Sequence, residues 1–218
     1  MPDLDGIERE TGDRVDLAVI WLHGLGADSS DFLPVIAALK LATGVRFVFP
    51  NAPQRRITIN GGMMMRAWYD ITGFGPDAAA DMAGIGASVT LVNSLIEREL
   101  GRGIDARRIV LAGFSQGGAV VLQAGLSTAL PLGGILGLST YLPAPGLLGP
   151  GVIATQVPVW LAHGTHDPVI PLSTAERSAK FLIAQGVDVE WTTYAMGHEL
   201  SSAEVNDIND WLNRIASR

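Results

Sequence analysis

The chain has 218 residues, 48% hydrophobic and 17% charged, with a formal net charge of −7. That length and apolar content suit one domain with a substantial core. The acidic balance, with no Lys/Arg run longer than the pairs Arg55-Arg56 and Arg107-Arg108, removes the electrostatic footprint of a nucleic-acid binder, and the absence of cysteine excludes a disulfide framework, a thiol nucleophile and a cysteine metal site.

The opening Met1 to Glu10 is polar and acidic, the reverse of a basic region followed by an apolar run, so no secretory signal is read there and the cytoplasm is the expected location. No segment reaches the roughly 18 uninterrupted apolar residues of a membrane span. Val15 to Leu22 reads as a strand, Ser30 to Leu41 as a helix, Val45 to Phe49 as a strand, and Asp77 to Leu100 as a long helix with a possible break near Gly84 and Gly86. Arg108 to Ala112 is the next strand, followed by a helix running to about Ser127. Strands at Gly134 to Leu138 and Val157 to Ala162, a helix from Ser173 to Gln185, a strand from Val187 to Tyr194 and a helix from Ser201 to Ile215 complete the chain. Pro143 to Gly151, rich in Gly and Pro, reads as a surface loop.

Runs such as Leu17-Ala18-Val19-Ile20-Trp21-Leu22 are apolar without alternation, the pattern of strands buried on both faces. Their alternation with helices predicts an α/β fold with a mostly parallel sheet covered on both sides. The last helix fits as one cover, with Val205, Ile208, Trp211, Leu212 and Ile215 at helical spacing and Glu204, Asp207, Asp210 and Arg214 assigned between them.

Between the strand ending at Ala112 and its helix stands Gly113-Phe114-Ser115-Gln116-Gly117, a serine on a sharp strand-to-helix turn. In a chain with 26 glycines such a match arises by chance roughly once in six sequences of this composition, so its setting must carry the argument. In open α/β sheets functional groups gather beyond the carboxyl ends of the strands. Asp167 lies there, in His163-Gly164-Thr165-His166-Asp167-Pro168, and so does His198, between the last strand and the last helix. The order Ser115, Asp167, His198 is that of a nucleophile, an orienting acid and a general base in hydrolases of this architecture. His166 competes with His198 for the base, but its adjacency to Asp167 makes convergence of the two side chains difficult; His23 and His163 end apolar strands and read as structural. Negative charge developing on a substrate carbonyl needs preorganised donors. The backbone N–H of Gln116 is one, and the loop His23-Gly24-Leu25-Gly26 supplies the other, assigned to Leu25.

The segments His23-Gly24-Leu25-Gly26-Ala27-Asp28, Pro50-Asn51-Ala52-Pro53, Trp68-Tyr69-Asp70, Gly113 to Gly118 and Met196-Gly197-His198-Glu199 together resemble the phospholipase/carboxylesterase family, whose relatives include acyl-protein thioesterases and lysophospholipases. The resemblance spans roughly residues 15 to 215. It implies an α/β-hydrolase core without a large cap, esterase activity on short or medium acyl esters, and frequent homodimers. Against that background the loop Asn60 to Trp68, with Met63, Met64, Met65 and Arg66, is unusual. The resemblance implies that this stretch borders the active site, which makes Met63, Met64, Met65 and Trp68 the candidate substrate-binding residues; methionine is flexible and polarizable, suiting the loop to varied acyl groups, while Tyr69 and Asp70 are read as fixing it.

The expected activity is a serine carboxylesterase working through a covalent acyl-enzyme on a small-molecule ester, with no metal or other cofactor, and with a rate that falls as His198 is protonated. A thioesterase or lysophospholipase with the same triad is the alternative within enzymes. An inert binding protein on a hydrolase scaffold is the alternative outside them.

Overall fold

A computed structural model describes residues 5–73, 80–148 and 152–218. Its main sheet has seven strands in the order β1-β3-β2-β6-β7-β8-β9, formed by β1 (Gly6–Thr11), β2 (Val15–Leu22), β3 (Gly44–Pro50), β6 (Ile109–Phe114), β7 (Gly134–Leu138), β8 (Val159–Gly164) and β9 (Val189–Tyr194). β1 runs antiparallel to β3, and every other pairing in this sheet is parallel.

Period-two geometry explains the unbroken apolar strands. Along β2, Ala18, Ile20 and Leu22 enter one core layer with α2 (Met82–Gly101), α3 (Gln116–Leu126) and α4 (Leu172–Ala184), whereas Leu17, Val19 and Trp21 enter another beneath α1 (Leu33–Ala38) and α5 (Ser202–Ala216). Each face needs its own apolar set, so no polar alternation survives in the sequence. All of α3 is buried, whereas Phe114 and Ser115 in the turn before it are half-buried.

Three elements depart from expectation. β1 falls in a segment read only as polar. It is a half-exposed edge strand whose place is set by its antiparallel register with β3, from Gly6 opposite Pro50 to Thr11 opposite Val45. The helix expected over Ser30 to Leu41 is confined to Leu33–Ala38, because Asp28 accepts from the N–H and hydroxyl of Ser30 and holds the preceding residues in a turn. The loop around residue 60 contains a hairpin of β4 (Gln54–Ile57) and β5 (Met63–Arg66), turning through the left-handed Gly61 and Gly62.

α2 runs through Gly84 and Gly86 without a break and is capped by Asp81, whose carboxylate accepts from Gly84 N–H at 2.9 Å. The expected start at Asp77 lies outside the described residues, as does the end of the loop expected over Pro143 to Gly151. In α5, Ile208, Trp211, Leu212 and Ile215 are buried and Val205 is half-buried, but Glu204, expected on the outer face, is fully buried. Among the described residues no helix is long and apolar enough to cross a membrane.

Candidate active site

Ser115 sits between β6 and α3 at φ 53°, ψ −120°, a backbone conformation that a side-chain-bearing residue rarely adopts. Its own peptide groups are tied to the neighbouring strand end: Ser115 N–H donates to Leu138 O at 2.9 Å, and Thr140 Oγ1 donates to Ser115 O at 2.6 Å. The flanking glycines answer two different crowding problems. A Cβ at Gly113 would lie 2.5 Å from the Gly117 carbonyl carbon, whereas a Cβ at Gly117 would lie 2.4 Å from Leu22 O and 2.5 Å from His23 O. Gly117 therefore lets the start of α3 touch the end of β2, bringing the serine beside the His23–Gly26 loop.

Asp167 follows β8 and is nearly buried. One carboxylate oxygen accepts from Val169 N–H and Ile170 N–H, each at 2.8 Å, and the other accepts from His198 Nδ1 at 2.7 Å. Because a carboxylate offers only acceptors, the His198 proton sits on Nδ1 and Nε2 is left as the acceptor, the tautomer a general base needs. The His198 ring lies 4.7 Å from that of Phe114, the residue before Ser115. Asp167 and His198 are thus directly paired, and Phe114 packs the imidazole against the elbow.

The other histidines divide as their surroundings dictate. His166 is exposed and pairs with Thr165 Oγ1 rather than with Asp167. His163 is fully buried, with Nε2 2.9 Å from Ile170 O and 3.4 Å from Asp167 Oδ2, so it braces the acid from behind. His23 donates through Nδ1 to Gly24 O at 2.7 Å and accepts from Ala52 N–H through Nε2 at 3.0 Å; burial holds its pKa below the usual imidazole value and keeps it neutral.

The two expected carbonyl-binding amides are available. Gln116 is the first residue of α3, whose first-turn N–H groups have no partner within the helix. Leu25 N–H makes no hydrogen bond to another described residue. Its loop is anchored on both sides: Gly26 N–H donates to Arg66 O at 2.9 Å, and a Cβ on Gly24 would lie 3.5 Å from Ser115 Cβ.

The substrate-binding expectation for Trp68 is corrected. Its side chain is fully buried and presents no surface to a ligand, its indole Nε1 donates to His23 O at 2.7 Å, and its ring lies 5.2 Å from that of His23. Of the three methionines on β5, Met63 is 62% exposed and Met64 52% exposed, while Met65 is half-buried with its sulfur facing Gly26. Asp70 does fix the loop: its carboxylate accepts from Thr58 N–H at 2.8 Å and Thr58 Oγ1 at 2.5 Å, which together lower its pKa. Tyr69 is buried with its hydroxyl 3.0 Å from that of Tyr141.

Sequence reasoning missed the bracing roles of Thr140 and His163 and the engagement of the Gln116 side chain. The amide Oε1 of Gln116 accepts from Trp68 N–H at 2.9 Å, and its Nε2 donates to Tyr69 O at 2.8 Å. Nothing local in the sequence marks these bonds; the adjacency of His163 to the Asp167 turn was the one available hint.

A mostly parallel sheet with helices on both faces and a serine elbow at the end of β6 defines an α/β-hydrolase. Within that class the chain belongs to the phospholipase/carboxylesterase family, whose model matches residues 8–216. It is 39% identical over 203 residues to acyl-protein thioesterase 1 of Yarrowia lipolytica, covering 89% of each chain. To acyl-protein thioesterase 1 of Gibberella zeae it is 37% identical over 209 residues, covering 90% of this chain and 89% of the relative. Among solved structures, acyl-protein thioesterase 2 of Zea mays superposes with a TM-score of 0.86 at 26% identity, over 97% of this chain and 99% of that one. The protein is a hydrolase of this family.

Proposed function

We propose that the protein is a serine carboxylesterase that cleaves short- to medium-chain acyl esters through an acyl-enzyme. The reading is carried by the 2.7 Å bond from His198 Nδ1 to Asp167, which sets the base tautomer; it is supported by the positive φ of Ser115 and by the packing of its neighbour Phe114 on the His198 ring. Ser115 Oγ attacks the acyl carbon as its proton passes to His198 Nε2. The carbonyl oxygen becomes an oxyanion held by the N–H groups of Leu25 and Gln116. Collapse of the tetrahedral intermediate breaks the bond to the leaving group, which takes the proton from His198. Water then attacks the Ser115 ester, giving its proton to His198, and the acid departs as that proton returns to Ser115. Met65, beside the Leu25 loop, is assigned to the acyl side of the site.

Purified protein should hydrolyse p-nitrophenyl butyrate and take up a fluorophosphonate at Ser115, with both lost in Ser115→Ala. Retention of near wild-type turnover by Ser115→Ala would falsify the assignment. The similarity to acyl-protein thioesterases favours a second reading, in which the same steps expel a thiolate. A side-by-side kcat/KM series over short esters, long-chain thioesters and lysolipids separates the two, because the triad is common and only the pocket discriminates.

A further inference from the structure

We infer that the side chain of Gln116 is a positioning residue that couples the two halves of the oxyanion hole, an inference that rests on the serine-hydrolase reading above. By residue type, Gln116 is needed there only for its backbone N–H, and any side chain able to start a helix would serve. Instead the side chain is 2% exposed and spends its amide on two backbone groups of one segment: it accepts from Trp68 N–H and donates to Tyr69 O. That segment reaches the opposite half of the hole. From it the Trp68 indole donates to His23 O at 2.7 Å, two residues before Leu25, whose N–H is the other proposed donor.

The path from one donor to the other has few loose joints. Trp68 is fully buried, and its carbonyl accepts from Ser88 Oγ on α2. Ala67 N–H donates to Pro53 O and Gly26 N–H to Arg66 O, so the stretch 66–69 is held by backbone bonds as well. At the far end the His23 ring is locked by Ala52 N–H and Gly24 O. Gln116 thus holds by its side chain the scaffold that aims Leu25 N–H, while its own N–H is the other proposed donor. Donors preorganised in this way act on the charge that appears only in the transition state, so a misaimed donor lowers kcat and leaves KM alone.

The test uses the full chain, with rates expressed per Ser115 titrated by a fluorophosphonate so that unfolded protein does not count. Gln116→Leu removes both amide bonds and keeps the backbone N–H; Trp68→Phe removes the indole donor and keeps a ring. Each should lower kcat on p-nitrophenyl butyrate by about 10- to 100-fold, with KM within about twofold. The Ki of a trifluoromethyl ketone, whose hemiketal oxyanion occupies the hole, should rise by the same factor. The double variant should lose little beyond the worse single one, because both cut one path. Losses that multiply in the double variant, a ketone Ki that stays constant, or wild-type kcat in either single variant would overturn the inference. Should Gln116→Leu fail to fold, Gln116→Met takes its place under the same criteria, since it is unbranched and uncharged, removes both amide bonds and keeps the backbone N–H. Wild-type protein labelled elsewhere than at Ser115 would instead sink the serine-hydrolase reading, whatever the Gln116 variants do.

Discussion

Glu204 makes the fold sensitive to pH in a direction opposite to that of most carboxylates. It is the third residue of α5, and its N–H donates to the capping Ser201 Oγ at 3.2 Å. In a reciprocal capping box the glutamate would reach back to the N–H of the cap residue. That N–H does pull the Glu204 pKa down, yet neither carboxylate oxygen meets a partner in hydrogen-bond geometry among the described residues. Burial dominates, the charge on Asp207 adds to it, and the carboxyl is pushed up to about 8 from an ordinary 4.5. The folded protein therefore keeps this proton after the unfolded chain has lost it. Stability from this group is complete below pH 4.5, falls as pH rises toward about 8, and levels above that. The rise of about 3.5 in pKa, at about 1.36 kcal/mol each, sets a ceiling of about 5 kcal/mol. Water entry on ionisation lowers the realised value, and we expect about 2 to 4 kcal/mol. Urea unfolding of wild type and Glu204→Gln at pH 5, 6, 7 and 8.5 isolates the effect, since other titrating groups cancel in the difference. The glutamine variant should match wild type at pH 5 within about 1 kcal/mol and exceed it progressively toward pH 8.5. A difference that stays flat with pH, or shrinks as pH rises, refutes the reasoning.

Two further substitutions test separate parts of the scaffold. Gly117→Ala places a methyl 2.4 Å from Leu22 O, so it should lower stability by about 1 to 3 kcal/mol and depress kcat as α3 is pushed from the end of β2; a variant with both unchanged in thermal unfolding and ester hydrolysis contradicts the crowding argument. Glu99, fully buried on α2, faces Arg46 at 2.7 Å, Arg102 at 3.1 Å and Arg98 at 3.3 Å. Glu99→Gln leaves those cations without their buried counter-charge and should cost about 3 kcal/mol in urea unfolding with kcat/KM unaltered, the reverse of the pattern expected for the Gln116 variants.

What could be read from sequence alone, and what could not, follows from where the information resides. Strands buried on both faces, such as β2, advertise themselves because each residue serves one of two apolar layers. β1 does not, since it is half-exposed and acquires its identity from β3. Glu204 is the instructive failure: positions 204, 208, 211 and 215 form one helical stripe, so periodicity alone placed it inside, and residue type overrode the geometry. Ser115, Asp167 and His198 stand out as candidates in the sequence because acyl transfer demands those chemical types at the carboxyl ends of strands, and the bond between His198 and Asp167 is what the fold adds to that reading. Their supports do not stand out. Thr140 works through Ser115 O across 25 positions, and Gln116 through backbone atoms 47 and 48 positions away. A backbone carbonyl or N–H carries no residue label, so the partners of a positioning side chain leave no mark in the sequence. Trp68 shows the same limit: its place in a loop that the family resemblance sets beside the active site suggested contact with substrate, whereas its indole N–H serves a carbonyl two residues from Leu25. Residues proposed to touch the reacting atoms are therefore constrained by chemistry, and those proposed to aim them by the fold, which is why the second set emerges only when the chain is seen in three dimensions.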